Sequence, residues 1–93
     1  MTEEQAWREF QAECPELLDA VKYQTGRLPG QEPTPIIPMK TASALVDWAL
    51  AKGYASAQNA ERMHQILLKR EAEASHGQEP SFFLLNTLTL LLR

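Results

Sequence analysis

Cysteine is nearly absent from this chain of 93 residues, and its scarcity limits both the fold and the chemistry. Cys14 is the only cysteine, so the chain cannot form an internal disulfide. The two histidines, His64 and His76, are too far apart to match a known zinc-ligand spacing. We therefore expect no metal site. The lone cysteine and the lack of a recognisable signal segment predict a cytoplasmic protein.

Sequence motifs for catalysis and cofactor binding are also missing. The four glycines do not form a phosphate-binding loop, and no motif pairs a nucleophile with a base. Glu9, Glu13 and Glu16 are spaced four and three residues apart, which places them along one side of a helix. No apolar neighbours surround them that would raise a carboxyl pKa. We predict a protein that is not an enzyme and binds no cofactor, with these glutamates forming a solvated face or an acidic docking stripe.

Long apolar runs and clustered cations are lacking too. The apolar stretch 82–92 would reach about 16 Å as a helix, short of the ~30 Å core of a bilayer, so we expect no membrane span. Residues 1–25 contain six carboxylates and two cations, and the remainder is nearly neutral. Direct nucleic-acid binding, which needs clustered lysine and arginine, is therefore not expected. An acidic first element suits docking onto a basic surface.

Proline, in contrast, is concentrated in a proline-rich segment, residues 27–40. Four of the six prolines lie there, at Pro29, Pro33, Pro35 and Pro38. Proline lacks an N–H and favours extended geometry in the residue before it, so we predict an exposed crossover that is neither helix nor central strand. Pro35 and Pro38 have the three-residue period of a polyproline II helix, which a proline-motif reader or a prolyl isomerase could bind. The alternative is a connector whose Ile36 and Ile37 cover the core.

Helical periodicity predicts an acidic N-terminal unit over residues 1–26. Thr2 and Gln5 form a capping box at its start. Pro15 kinks the unit or breaks it into two helices, and Gly26 provides a left-handed cap at its end. One face of the unit is apolar: Trp7, Phe10, Cys14, Leu17, Leu18 and Val21. We expect Trp7 and Phe10 to anchor it to the core.

Residues 41–77 predict a helical hairpin. Thr41 or Ser43 can cap its first helix, Gly53 closes that helix, and Ser56 begins the second.

A helix, a glycine turn and a second helix also resemble the helix-turn-helix motif of DNA-binding proteins. That motif needs buried aliphatic residues six and nine positions after the glycine, where this chain has Asn59 and Arg62. An ordinary helical hairpin is the better interpretation.

Residues 78–93 predict an apolar C-terminal helix. Its 86–90 portion alternates like a strand, but the sequence offers no partner strand, so a helix is preferred. The stripe expected to face the core comprises Leu84, Leu85, Leu88, Leu91 and Leu92. Phe83 and Leu90 lie off this stripe and would be available to a second chain.

These elements together predict an all-α fold: a small single-domain bundle of four to five short helices with a proline-rich crossover loop. The predicted function is a non-catalytic binding protein that regulates or inhibits a larger protein. In general profile the chain is similar to the small proteins with which bacteriophages inhibit host nucleic-acid enzymes. The residues expected to contact the partner are Glu9, Glu13, Glu16, Pro33, Pro35, Ile36, Ile37, Pro38, Phe83 and Leu90. The alternatives are a helix-turn-helix DNA-binding regulator and a structural subunit of a homo-oligomer.

Overall fold

Helices make up most of the computed structural model, which describes residues 2–24, 34–74 and 80–92. In chain order the elements are α1 (Glu3–Glu13), a 3₁₀ helix (Pro15–Ala20), β1 (Lys22–Gln24), β2 (Thr34–Pro38), α2 (Met39–Lys52), α3 (Ala57–Glu73), β3 (Ser81–Phe83) and α4 (Leu84–Leu91). The strands form one antiparallel sheet in the order β1-β2-β3. The fold is thus a small, mostly helical domain with a three-stranded sheet, so the all-α prediction was correct for the helices but missed the strands.

The N-terminal unit begins and breaks as its sequence predicts, but it ends differently. The Thr2 side chain accepts a hydrogen bond from the Gln5 N–H, and the Gln5 side chain accepts one from the Thr2 N–H. The break falls at Pro15, the first residue of the 3₁₀ helix. The helical part stops at Ala20 and the chain continues as β1, because pairing with β2 satisfies its backbone groups. The predicted cap at Gly26 lies outside the described residues.

Residues 34–38 of the proline-rich segment form the central strand of the sheet and residues 39–40 begin α2, which overturns the prediction that the segment is neither helix nor central strand. Each neighbour pairs with only three residues of β2. Successive N–H groups of a strand point to opposite sides, so Ile36 and Ile37 offer one donor to each neighbour despite the flanking prolines. Pro35 and Pro38 also favour an extended conformation in the residues before them. The extended conformation that proline imposes on the preceding residue disfavours a helix here but favours a strand.

The helical hairpin forms as predicted at its turn, but its first helix starts earlier. Gly53 has a φ of 79° and its N–H bonds the carbonyls of the last turn of α2. The Ser56 side chain caps α3 by accepting from the Asn59 N–H at 3.1 Å. Helix α2 begins at Met39 after the extended Pro38, and Thr41 is buried within it, so neither Thr41 nor Ser43 is the cap.

Helix α4 lies at the centre of the core. It contacts α1, α2, α3 and both β2 and β3. Leu84, Leu88 and Leu91 are fully buried, as predicted, whereas Leu85 is 48% exposed, which corrects the predicted stripe. Thr87 is buried in place of Leu85, so the buried face of α4 is rotated toward Thr87 relative to the predicted stripe. The Thr87 hydroxyl donates a hydrogen bond to the Phe83 carbonyl at 3.0 Å. The core comprises Ala6, Phe10, Ile37, Ala42, Leu45, Val46, Ala49, Ala55, Ala60, Met63, Leu67, Phe82, Leu84, Leu88 and Leu91.

Candidate partner-binding surface

The outer face of the sheet brings together two of the residues expected to contact a partner. Ile36 lies opposite Phe83 of β3, and Ile37 lies opposite Phe82. Side chains alternate between the two faces of a strand, and Ile37 and Phe82 are buried in the core. Ile36 and Phe83 therefore share the outer face, where Phe83 is 45% exposed. Directly opposite residues of this kind have Cβ atoms about 5 Å apart, so the two side chains are neighbours.

A groove of about 310 Å³ lies between α3 and α4 and continues this apolar face. Its lining residues are Met63, Ile66, Arg70, Ser81, Phe82, Phe83, Asn86, Thr87 and Leu90. Met63, Phe82 and Thr87 are buried and form its floor. Phe83 belongs both to the groove and to the outer face of the sheet. We call the combined area the sheet-groove surface: Ile36, Ile66, Arg70, Phe83 and Leu90.

The groove has a basic rim on the α3 side. The Arg70 guanidinium lies over the Phe82 ring, 5.8 Å from its centroid, a cation-π contact. Arg62 and Lys69 are exposed, and they lie four residues before and three residues after Ile66, so they share its side of the helix. Within residues 2–24, 34–74 and 80–92, Arg62, Lys69 and Arg70 form no ion pair. The charges of α3 sum to zero, but these three cations give the side around Ile66 a local excess of positive charge.

Two of the three glutamates predicted as a docking stripe bind groups within the protein. The Glu13 carboxylate pairs with the Lys52 ammonium at 2.8 Å. This hydrogen bond raises the pKa of Lys52. The Tyr54 hydroxyl donates to Glu9, and this hydrogen bond raises the pKa of Tyr54. Glu16, on the 3₁₀ helix, is exposed.

An aromatic cluster accompanies these polar contacts and joins α1 to the hairpin. Phe10 stacks on Trp7 at 5.8 Å between ring centroids and meets the Trp48 ring edge-on at 5.5 Å. Trp48 in turn contacts Tyr54 at 5.5 Å. Phe10 is fully buried and Trp7 half-buried, in agreement with their predicted role as anchors. Trp48 and Tyr54 were not singled out by the sequence, since their partners on α1 are distant in the chain.

The predicted contact residues of the proline-rich segment differ in accessibility, because the sheet buries some of them and leaves others partly exposed. Pro33 lies outside the described residues, while Pro35 and Pro38 are half-buried in β2. Ile37 is fully buried in the core, so Ile36 is the more accessible of the two isoleucines. Because β2 is paired on both sides, a proline-motif reader could engage its backbone only if the strand left the sheet.

The start of α3 packs against the end of α4. The Asn59 side chain is buried and its amide donates to the Leu91 carbonyl at 3.2 Å. Position 59 is therefore buried, as the helix-turn-helix motif requires, but it holds an amide in place of an aliphatic side chain, and Arg62, at the second position that the motif buries, is exposed.

The remaining chemistry of the described residues is sparse. Burial raises the pKa of Cys14, with the Glu16 and Glu13 charges adding to the effect, so the thiolate is disfavoured at neutral pH. Residues 2–24, 34–74 and 80–92 contain no cluster of three or more His, Cys, Asp or Glu side chains able to hold a metal. No helix in this described part combines the length and apolar character needed to cross a bilayer. No protein-family model, curated protein or solved structure matches the chain.

Proposed function

We propose that the protein is a non-catalytic binding protein that regulates or inhibits a larger protein partner through the sheet-groove surface. A nucleic-acid enzyme of a bacteriophage host is a partner of suitable kind. The observation that carries the proposal is the position of Phe83, which is 45% exposed and joins the outer face of the sheet to the groove. Aromatic side chains over apolar pockets are the usual centres of protein interfaces.

The two alternative functions have less support. A DNA-binding helix-turn-helix is disfavoured because Arg62, at the second position where the motif buries an aliphatic residue, is exposed, and because the charges of α3 sum to zero. A homo-oligomer sealed by the C-terminal helix is disfavoured because α4 already buries its main apolar face, through Leu84, Leu88 and Leu91, within its own chain.

The test is affinity capture from a bacterial lysate with wild-type protein and three variants, followed by mass spectrometry. Phe83→Glu and Leu90→Glu place a charge in the sheet-groove surface. Leu50→Glu is the control, because Leu50 is 41% exposed on α2 and does not line the groove. Circular dichroism first confirms that each variant is folded.

We expect a protein that wild type and Leu50→Glu retain, and that Phe83→Glu and Leu90→Glu both lose. Capture of the same proteins by all four, or by none, contradicts the proposal.

A further inference from the structure

We infer that the groove between α3 and α4 binds an acidic amphipathic helical segment of the partner. An apolar side chain of that segment enters the groove beside Phe83 and Leu90, and its carboxylates face the basic rim. The inference rests on the proposed function and specifies the chemistry of the partner.

The floor of the groove determines that the inserted group is apolar. Met63 and Phe82 are buried, and the one hydroxyl of the floor, on Thr87, already donates to the Phe83 carbonyl. A polar group placed there would lose its hydration without gaining a partner. The volume of about 310 Å³ is at the small end for ligand pockets, which suits one or two side chains better than a cofactor.

The rim determines the charge of the partner. Arg62, Lys69 and Arg70 surround Ile66 and form no ion pair with another described residue. One carboxylate, Glu73, lies on the same side a turn further along α3, so the rim keeps an excess of positive charge. The chain as a whole has a formal charge of −3, so this rim is locally opposite to the net charge. Complementary carboxylates would steer the partner to this groove.

The shape of the groove favours a helical occupant. Its walls are two helices, and the distance along α4 from Phe83 to Leu90 is about 10 Å, close to two helical turns. Apolar residues at i and i+7 of a partner helix would match that length, with acidic residues on their flanks. The acidic α1 of a second copy suits this role poorly, because Ala6 and Phe10 are already buried in its own core.

Protein is favoured over nucleic acid as the occupant. A strand of nucleic acid would need a row of cations for its phosphates and several aromatic rings for its bases. The groove presents one exposed ring, that of Phe83, and a rim that also carries Glu73.

The experiment is a selection with the full-length protein from a displayed library of random 12-residue peptides, followed by fluorescence anisotropy with the enriched peptides. We expect enriched peptides to combine a Leu, Phe or Trp with flanking Asp or Glu. Phe83→Glu should abolish their binding. Lys69→Glu should weaken it about fivefold, the scale of one exposed ion pair removed and replaced by repulsion. Lys40→Glu makes the same charge change on α2 outside the groove and should weaken it less than about twofold.

Enrichment of neutral or basic peptides, or no enrichment, overturns the inference, as does an equal effect of Lys69→Glu and Lys40→Glu. Tighter binding of a labelled single-stranded oligonucleotide than of the peptides overturns it too. Failure of the proposed function would look different, because the lysate partner would then be retained by Phe83→Glu. If the partner is instead lost with Phe83→Glu but retained by Lys69→Glu, the proposed function stands and only the acidic character of the partner segment is wrong.

Discussion

Tyr54 and Lys52, near the turn between α2 and α3, each bind a glutamate of α1. These contacts raise both pKa values, because the tyrosine must keep its proton to donate to Glu9 and the ammonium must keep its charge to pair with Glu13. A pKa that is higher in the folded state means that the unfolded chain releases the proton at a lower pH. The stabilisation is therefore complete below the unfolded pKa values near ~10 and is lost as pH rises through the folded ones.

We expect the free energy of unfolding to fall as pH rises above about 10, and to fall less steeply in Tyr54→Phe. The measurement is urea unfolding followed by circular dichroism at a series of pH values between about 8 and 11.5, with wild type and variant in parallel. Equal slopes for the two proteins would show that the hydrogen bond to Glu9 does not contribute.

Single residues of the candidate surface could be predicted only in part. Phe83 and Leu90 were identified because they lie off the leucine stripe, and both line the groove. Ile66 and Arg70 were not identified, since an apolar residue and a cation are ordinary features of a helix whose charges cancel. What makes them part of a groove is the packing of α4 against α3, which joins parts of the chain that are distant in sequence.

At the scale of elements, the helices were predictable and the strands were not. The capping box, the break at Pro15 and the glycine cap are local signals that the structure confirms. β1 and β3 have three residues each, too few for alternation to be recognised. Their stability comes from pairing with β2 across long stretches of chain, which periodicity cannot show.

The left-handed turn after α2 provides a prediction for one element. We expect Gly53→Ala to lower the free energy of unfolding by about 1 kcal/mol, because a side chain disfavours the φ of 79° found there. An added Cβ would meet no atom within 4 Å among the described residues, so the loss comes from the backbone alone. Chemical denaturation measures it, and Gly53→Asn is the matched control with a smaller loss. Equal stability of wild type and Gly53→Ala would contradict the left-handed cap.

At the scale of the whole molecule, one helix supports the others. We expect Leu88→Glu to unfold the protein, because Leu88 is fully buried in α4 and an unpaired buried charge exceeds what a small domain can tolerate. Leu85→Glu, on the same helix but 48% exposed, should change the free energy of unfolding by less than about 0.5 kcal/mol. Circular dichroism and the melting temperature distinguish the two. Loss of structure in both variants would mean that α4 packs with a different face.

The order of the chain around the sheet has a consequence for how the protein folds. Helix α2 leaves directly from the end of β2, and α3 brings the chain back toward β3. With 14 and 17 residues, the two helices are about 21 and 26 Å long. Because these lengths are similar, the end of α3 lies near the level at which α2 begins. Once this local hairpin has formed, Ile36 and Phe83 are close, and much of the entropy cost of joining distant segments has already been met. We therefore expect the pairing of β2 with β3 to follow the formation of the hairpin.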